Sequence, residues 1–131
     1  MISPSLELRD AIFKHCMVQG YSVCTHLPLK NENAPYPFVV VGEQQTSNRP
    51  YKVMMGATLY QTIHVWGSDK QIKQVDEIMH DLTRLTFKGI KTANYKFAGR
   101  SNLVDNRILE DDSVEDTILE HGILTLSFSL Q

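Results

Sequence analysis

Apolar and polar residues alternate most regularly in two stretches of the chain. Leu59, Ile63 and Val65 alternate with Tyr60, Thr62, His64 and Trp66, and Gln61 is the one polar break on the apolar face. Leu124, Leu126, Phe128 and Leu130 alternate with Thr125, Ser127 and Ser129. A period of two puts successive side chains on opposite faces, so both stretches read as strands buried on one face. Between them, Ile72, Val75, Ile78, Met79, Leu82 and Leu85 recur at helical spacing, with Lys70, Lys73, Gln74, Glu77 and Arg84 mostly opposite. Gly67 and Ser68 separate this helix from the strand before it. Ser68 and Gln71 have the spacing of a capping box, in which hydroxyl and amide satisfy the helix's first free N–H groups.

The remaining elements follow from punctuation and weaker periodicity. Ser3-Pro4 is a helix start, Leu8, Ile12, Cys16 and Val18 mark the buried side, and Gln19-Gly20 is a stop. A short strand over Tyr21–Leu27 leads into a proline-bounded polar connection, residues 28–37. Phe38–Gln44 is a β-branched run with the character of a central strand. Residues 46–57 fit neither period and form a loop of about twelve residues, long enough to suggest a function. Leu103–Asp112 reads as a further strand and Thr117–Gln131 as the last. The expected architecture is α+β in a single domain, residues 1–131, with two helices on one face of a mainly antiparallel, mixed sheet in the order α-β-β-β-α-β-β.

Composition narrows the class without naming it. At 131 residues, with 42% hydrophobic and 21% charged residues, the chain has the balance of one soluble globular domain. No apolar run approaches the roughly 18 residues of a membrane span, and no signal peptide is visible at the start. Two cysteines, Cys16 and Cys24, read as reduced thiols of an intracellular protein. The net charge of −2 is unevenly spread. Residues 47–100 hold nine Lys/Arg against four Asp/Glu, and residues 101–131 hold one Arg against seven acids. Such polarity suits complementary contacts between copies, unless folding interleaves the charges.

The residues of reactive chemistry do not assemble into a constellation. His15, Cys16, Cys24 and His26 lack zinc-site spacing and read as structural thiols with surface histidines. His80-Asp81 resembles one metal pair, but too little helix remains to supply the rest, so it reads as a polar helix face. No phosphate-cradling or nucleophile-elbow motif occurs. Asp111, Asp112, Glu115 and Asp116 lack the spacing of a calcium loop and read as a solvated acidic turn. Lys88, Lys91, Lys96 and Arg100 interleave with Tyr95 and Phe97, a modest basic stretch that reads as a lysine-guarded strand edge before a nucleic-acid surface. No cofactor or metal is expected, and the chain reads as a non-enzyme.

Taken together, Tyr36-Pro37-Phe38-Val39-Val40-Val41-Gly42-Glu43, then Leu59 through Ser68 (Leu-Tyr-Gln-Thr-Ile-His-Val-Trp-Gly-Ser), then the closing Gly122–Leu130 strand, resemble the tail-terminator (tail-completion) proteins of long-tailed bacteriophages. The resemblance spans essentially the whole chain. It implies a small α+β virion protein that forms a hexameric ring at the head-proximal end of the tail tube. That ring would end tube polymerisation and join the tail to the head connector, after assembly in the host cytoplasm. The implied partners are further copies of the chain, the tail-tube protein and the connector, with non-specific DNA contact in the channel and no membrane. The variable loop of that family corresponds to Thr46–Ala57. Arg49, Tyr51, Lys52, Met54 and Met55 are therefore expected at a subunit or tube interface, where methionine and tyrosine suit an adaptable surface. Lys88, Lys91, Lys96 and Arg100 are expected opposite a neighbour's acids (Asp111, Asp112, Glu115, Asp116) or the DNA channel. Two other readings stand beside this one: a different neck component, or a small enzyme using His64, His80 or His121.

Overall fold

The structure, a computed structural model, describes residues 2–27, 35–47, 57–114 and 116–131. Helix α1 (Pro4–Val18) starts where Ser3 Oγ accepts the Leu6 N–H, and ends at Gly20, whose positive φ suits a residue without Cβ. The strands are β1 (Ser22–Cys24), β2 (Phe38–Ser47) and β3 (Thr58–Ser68), followed by α2 (Ile72–Thr83) and a single turn, α3 (Leu85–Lys88). Then come β4 (Ile90–Lys91), β5 (Lys96–Gly99), a 3-10 turn (Ser101–Leu103), β6 (Asp105–Asp111) and β7 (Leu119–Leu130).

All seven strands join one mixed sheet, ordered β1-β2-β3-β7-β5-β4, with β6 also on β7. β1 runs parallel to β2, and the other pairings are antiparallel. The two most regular strands of the sequence, β3 and β7, pair along their length from Thr58↔Ser129 to Ser68↔Leu119. The opposite edge of β7 is divided. β6 takes Leu119–Thr125 and β5 takes Leu130–Phe128, so one broken run of chain lines that edge. At the break Arg100 N–H donates to the Ser127 carbonyl and Ser127 Oγ to the Leu103 carbonyl.

The buried faces of α1 (Leu8, Ile12, Cys16) and α2 (Val75, Ile78, Met79, Leu82) share one core cluster with Val39, Val41, Leu59, Ile63, Val65, Leu124, Leu126 and Phe128. Each fully buried aliphatic side chain contributes about 1.5–3 kcal/mol. Close approach requires glycine at Gly99, where a Cβ would collide with the Thr86 carbonyl of α3. α1 is also tied down at its start. Glu7 accepts from Asn94 N and Nδ2 at 3.2 and 2.7 Å, and Tyr95 Oη donates to the Ile2 carbonyl.

One irregularity shapes the sheet. β2 and β3 are in register up to Val41↔Ile63 and resume at Gln44↔Gln61, so Gly42 and Glu43 together oppose Thr62. The bulge strands backbone carbonyls, and the fully buried Gln61 Nε2 donates to those of Gly42 (3.1 Å) and Glu43 (3.3 Å). The polar break on the apolar face is thus a hydrogen-bonding device.

Several expectations change. The strand after α1 covers only Ser22–Cys24, β2 extends to Ser47, and α3, β4 and β5 are additional elements between α2 and β6. Thr46 and Ser47 belong to β2 and Ala57 is buried, while residues 48–56 lie outside the described residues. Val18 is 78% exposed, because the helix's buried face ends at Cys16. Ile72 is exposed, since α2 begins there with Gln71 as its N-cap. Only the glutamine arm of the capping box forms: Gln71 Oε1 accepts the Ser68 N–H at 2.9 Å.

Gln61→Leu keeps the volume but removes an amide that donates to three carbonyls, those of Gly42, Glu43 and Thr62, in a dry site. It is expected to cost about 1–3 kcal/mol in urea unfolding with an unchanged slope. Wild-type stability in that variant would assign the bulge to the backbone alone.

Candidate functional site

The bulge inverts the alternation of β2. Val39 and Val41 face the core, and Glu43, which would otherwise follow them, comes to the outer face beside His64. There the three central strands carry a row of contacts. His64 Nε2 lies 2.9 Å from Glu43 Oε1, His64 Nδ1 lies 2.9 Å from His121 Nε2, and His121 stacks on Trp66 at 3.7 Å and 10°. A shallow cavity of about 280 Å³ opens over them, lined also by Leu27, Val40 and Gly42.

The proton inventory of this row is constrained. An ionised Glu43 accepts only, so His64 Nε2 carries a hydrogen. A neutral His64 then accepts at Nδ1 from His121 Nε2–H, giving one directional chain from β7 to β2. A proton added to both rings sets two donors face to face. Burial, and then the neighbouring His64 and Arg107 against the opposing Asp111, hold His121 below the ordinary imidazole value. Glu43 is also held low, by its backbone hydrogen bond and by His64.

A second cluster joins α1 to α2. Asp81 Oδ2 accepts from Tyr21 Oη at 2.9 Å and meets His15 Nε2 at 3.0 Å. Burial and Asp81 push the Tyr21 hydroxyl up, and burial pushes the Cys16 thiol up to about 12. Asp81 is therefore a helix-to-helix tie rather than part of a polar helix face, and His80 beside it is exposed. His15 engages Asp81 rather than the cysteines, Cys24 Sγ donates weakly to the Val39 carbonyl, and His26 is exposed.

Sequence-selected residues fall into separate places. Arg49, Tyr51, Lys52, Met54, Met55 and Glu115 lie outside the described residues. Lys88, Lys91 and Lys96 are exposed on α3, β4 and β5. Arg100 is exposed and its Nε donates to Ser129 Oγ. Asp111 ends β6, and hydrogen bonding from the Ser113 side chain and then from its N–H holds the carboxyl low, while Asp112 and Asp116 are exposed. Of the three histidines of the enzyme reading, His64 and His121 meet on the outer face and His80 stands apart on α2. His15, Asp81, Glu7 and the Glu43–His64 pair carried no periodic signal, since each partnership spans many residues of sequence. Among the described residues no group of three or more His, Cys, Asp or Glu is placed to hold a metal ion. No described helix is long and apolar enough to cross a membrane.

No protein-family model matches this chain. It is 27% identical over 106 residues to the tail completion protein gp17 of Bacillus phage SPP1, covering 81% of this chain and 75% of that protein. This similarity points to the phage tail-completion proteins. The fold matches a chain from the virion of a native gene transfer agent particle, with a TM-score of 0.69 over 99% of this chain and 98% of that one, at 12% identity. At that identity the likeness speaks to fold alone. Geometrically, the outer-face row is a clasp that joins β2, β3 and β7.

The clasp gives a pH signature with a definite sign. His121 is held low when folded, so its contribution to stability is complete above the ordinary imidazole value of about 6.5 and falls away as pH drops towards its folded value. Trp66 is the only tryptophan, and its emission is expected to titrate with a midpoint below about 6.5. His121→Phe should abolish that transition; its persistence would separate the emission change from the clasp.

Proposed function

We propose that the chain is a structural component of the phage tail: a terminator that caps the tail tube, ends its polymerisation and joins the tail to the head connector. The observation that carries this reading is the kinship with SPP1 gp17 over four-fifths of the chain. The ordered match of the β2, β3 and β7 sequences to the same family supports it. The shared architecture across a virion protein of very different sequence agrees with it.

In this reading the protein closes as a hexameric ring at the head-proximal end of the tail. A ring requires that two different surfaces of each subunit meet. The loop between β2 and β3 supplies the apolar anchor towards the tube or the neighbouring subunit, through Arg49, Tyr51, Lys52, Met54 and Met55. These residues lie outside the described ones, and their assignment rests on the chemistry of the sequence. Tyrosine and methionine offer large contact area with adaptable packing.

The test is electron microscopy of tail tubes grown with and without the purified protein. Wild-type protein should yield tubes of limited length with a terminal ring, and unlimited growth would remove the terminator reading. Tyr51→Ser combined with Met55→Ser is expected to weaken capping by about thirtyfold or more, the loss of roughly 2 kcal/mol for a hot-spot contact, with an unchanged unfolding midpoint. Wild-type capping by that double variant would take the loop out of the interface.

A further inference from the structure

The charge separation of the sequence survives folding. Between Leu85 and Arg100 the chain has Lys88, Lys91, Lys96 and Arg100 and no acid. The three lysines are exposed where α3, β4 and β5 close one end of the sheet margin. β6 starts at Asp105 opposite Thr125, and at the other end it and the residue after it carry Glu110, Asp111 and Asp112, with Arg107 the single cation of the strand. Among the described residues the ion pairs are His15–Asp81 and His64–Glu43, so neither set has an ion-pair partner among them.

Both ends have further marks of an interface. β6 pairs with β7 on one side and with no other described strand, leaving a seven-residue edge with backbone groups free to pair. Around it Leu109, Val114 and Ile118 are 44%, 47% and 50% exposed. On the basic end Phe87 is 70% exposed beside Lys88. An apolar centre with a charged rim is the usual anatomy of a specific protein contact.

We propose that the β6 margin of one copy docks against the α3–β4 surface of a second copy. Leu109, Val114 and Ile118 receive Phe87 at the centre, and Glu110 and Asp112 stand opposite Lys88 and Lys91 at the rim. The occupant is a second copy because the same chain carries both halves of the complement, each unpaired. This contact rests on the ring reading and names the surfaces through which subunits meet.

The experiment measures mass by light scattering against concentration in low salt. It compares wild type, Lys88→Glu/Lys91→Glu, Glu110→Lys/Asp112→Lys, and an equal mixture of the two reversed proteins. Wild type should associate, each reversal should weaken association at least about tenfold, and the mixture should recover it, because opposite charges again face each other. Raising the salt should weaken the wild-type contact. Phe87→Ser, at an exposed position outside the core, should weaken association about tenfold or more without changing the unfolding midpoint. Reversed proteins that associate like wild type, a mixture that fails to recover, or a wild type monomeric up to about 1 mM would each overturn the contact. So would reversed lysines that abolish binding to a duplex DNA fragment while leaving association intact, which assigns them to the nucleic acid. Tube capping separates this contact from the tail reading: capping without self-association overturns only the contact, and self-association without capping overturns only the tail reading.

Discussion

At the middle of the sheet, closed off from solvent, the Gln61 amide donates to two carbonyls that the β2 bulge takes out of the ladder. A buried carbonyl without a donor costs on the order of 1–3 kcal/mol, so the bulge and the glutamine stabilise each other's presence. A hydrophobic residue at position 61 would suit the apolar face of β3 better and the bulge worse. The extra β2 residue reverses the facing of everything beyond it. Glu43 therefore reaches the outer face, where His64 waits, while Gln44 and Thr46 turn towards α1 and bond the Ser5 carbonyl and Ser5 Oγ. One register shift thus sets both the outer row and the seating of the first helix.

The two sides of the sheet are consequently held by different physics. On the inner side, helices and alternating aliphatic residues exclude water, and small residues such as Gly99 let backbone meet backbone. On the outer side, polar groups bond across strands: the exposed Glu43 to the half-buried His64, His64 to His121, and Thr62 to Thr125 at 3.3 Å. Those contacts span the same strand order as the core beneath them, so the outer row reports on strand pairing without contributing a dry core. A row built from histidines is also the part of the sheet most exposed to a change in pH near neutrality.

How much of this was legible depended on whether the information was local. β3, β7 and the buried face of α2 could be read because each buries one side against a continuous surface, and a repeated period is visible in sequence. The broken run β5–β6 could not, since its regularity is set by β7, which lies downstream, and by a 3-10 turn that shifts the pattern. Val18 extended a true helical stripe by one apolar residue and proved exposed, because the buried face of the helix ends at Cys16. Gln61, Asp81 and Glu7 were visible as residues and not as partners. The residues that join Gln61 to β2, Asp81 to α1 and Glu7 to Asn94 lie 18, 66 and 87 positions away.

The topology also explains why intermolecular contacts belong at the margin of the sheet. β7 is covered continuously by β3 on one edge, but its other edge is shared between β6 and the β5–β4 pair. The division sets Lys88, Lys91 and Lys96 at one end of the margin and Glu110, Asp111 and Asp112 at the other, the length of β7 apart, with Arg100 and Asp105 between them. A fold that paired those charges internally would have been insensitive to neighbours. Among the described residues the helices cover one face, and charges without ion pairs, the outer edge of β6 and the exposed Phe87, Leu109 and Ile118 all lie at the margin. Segregated charge costs little on an exposed edge and gives orientation to an encounter between identical chains.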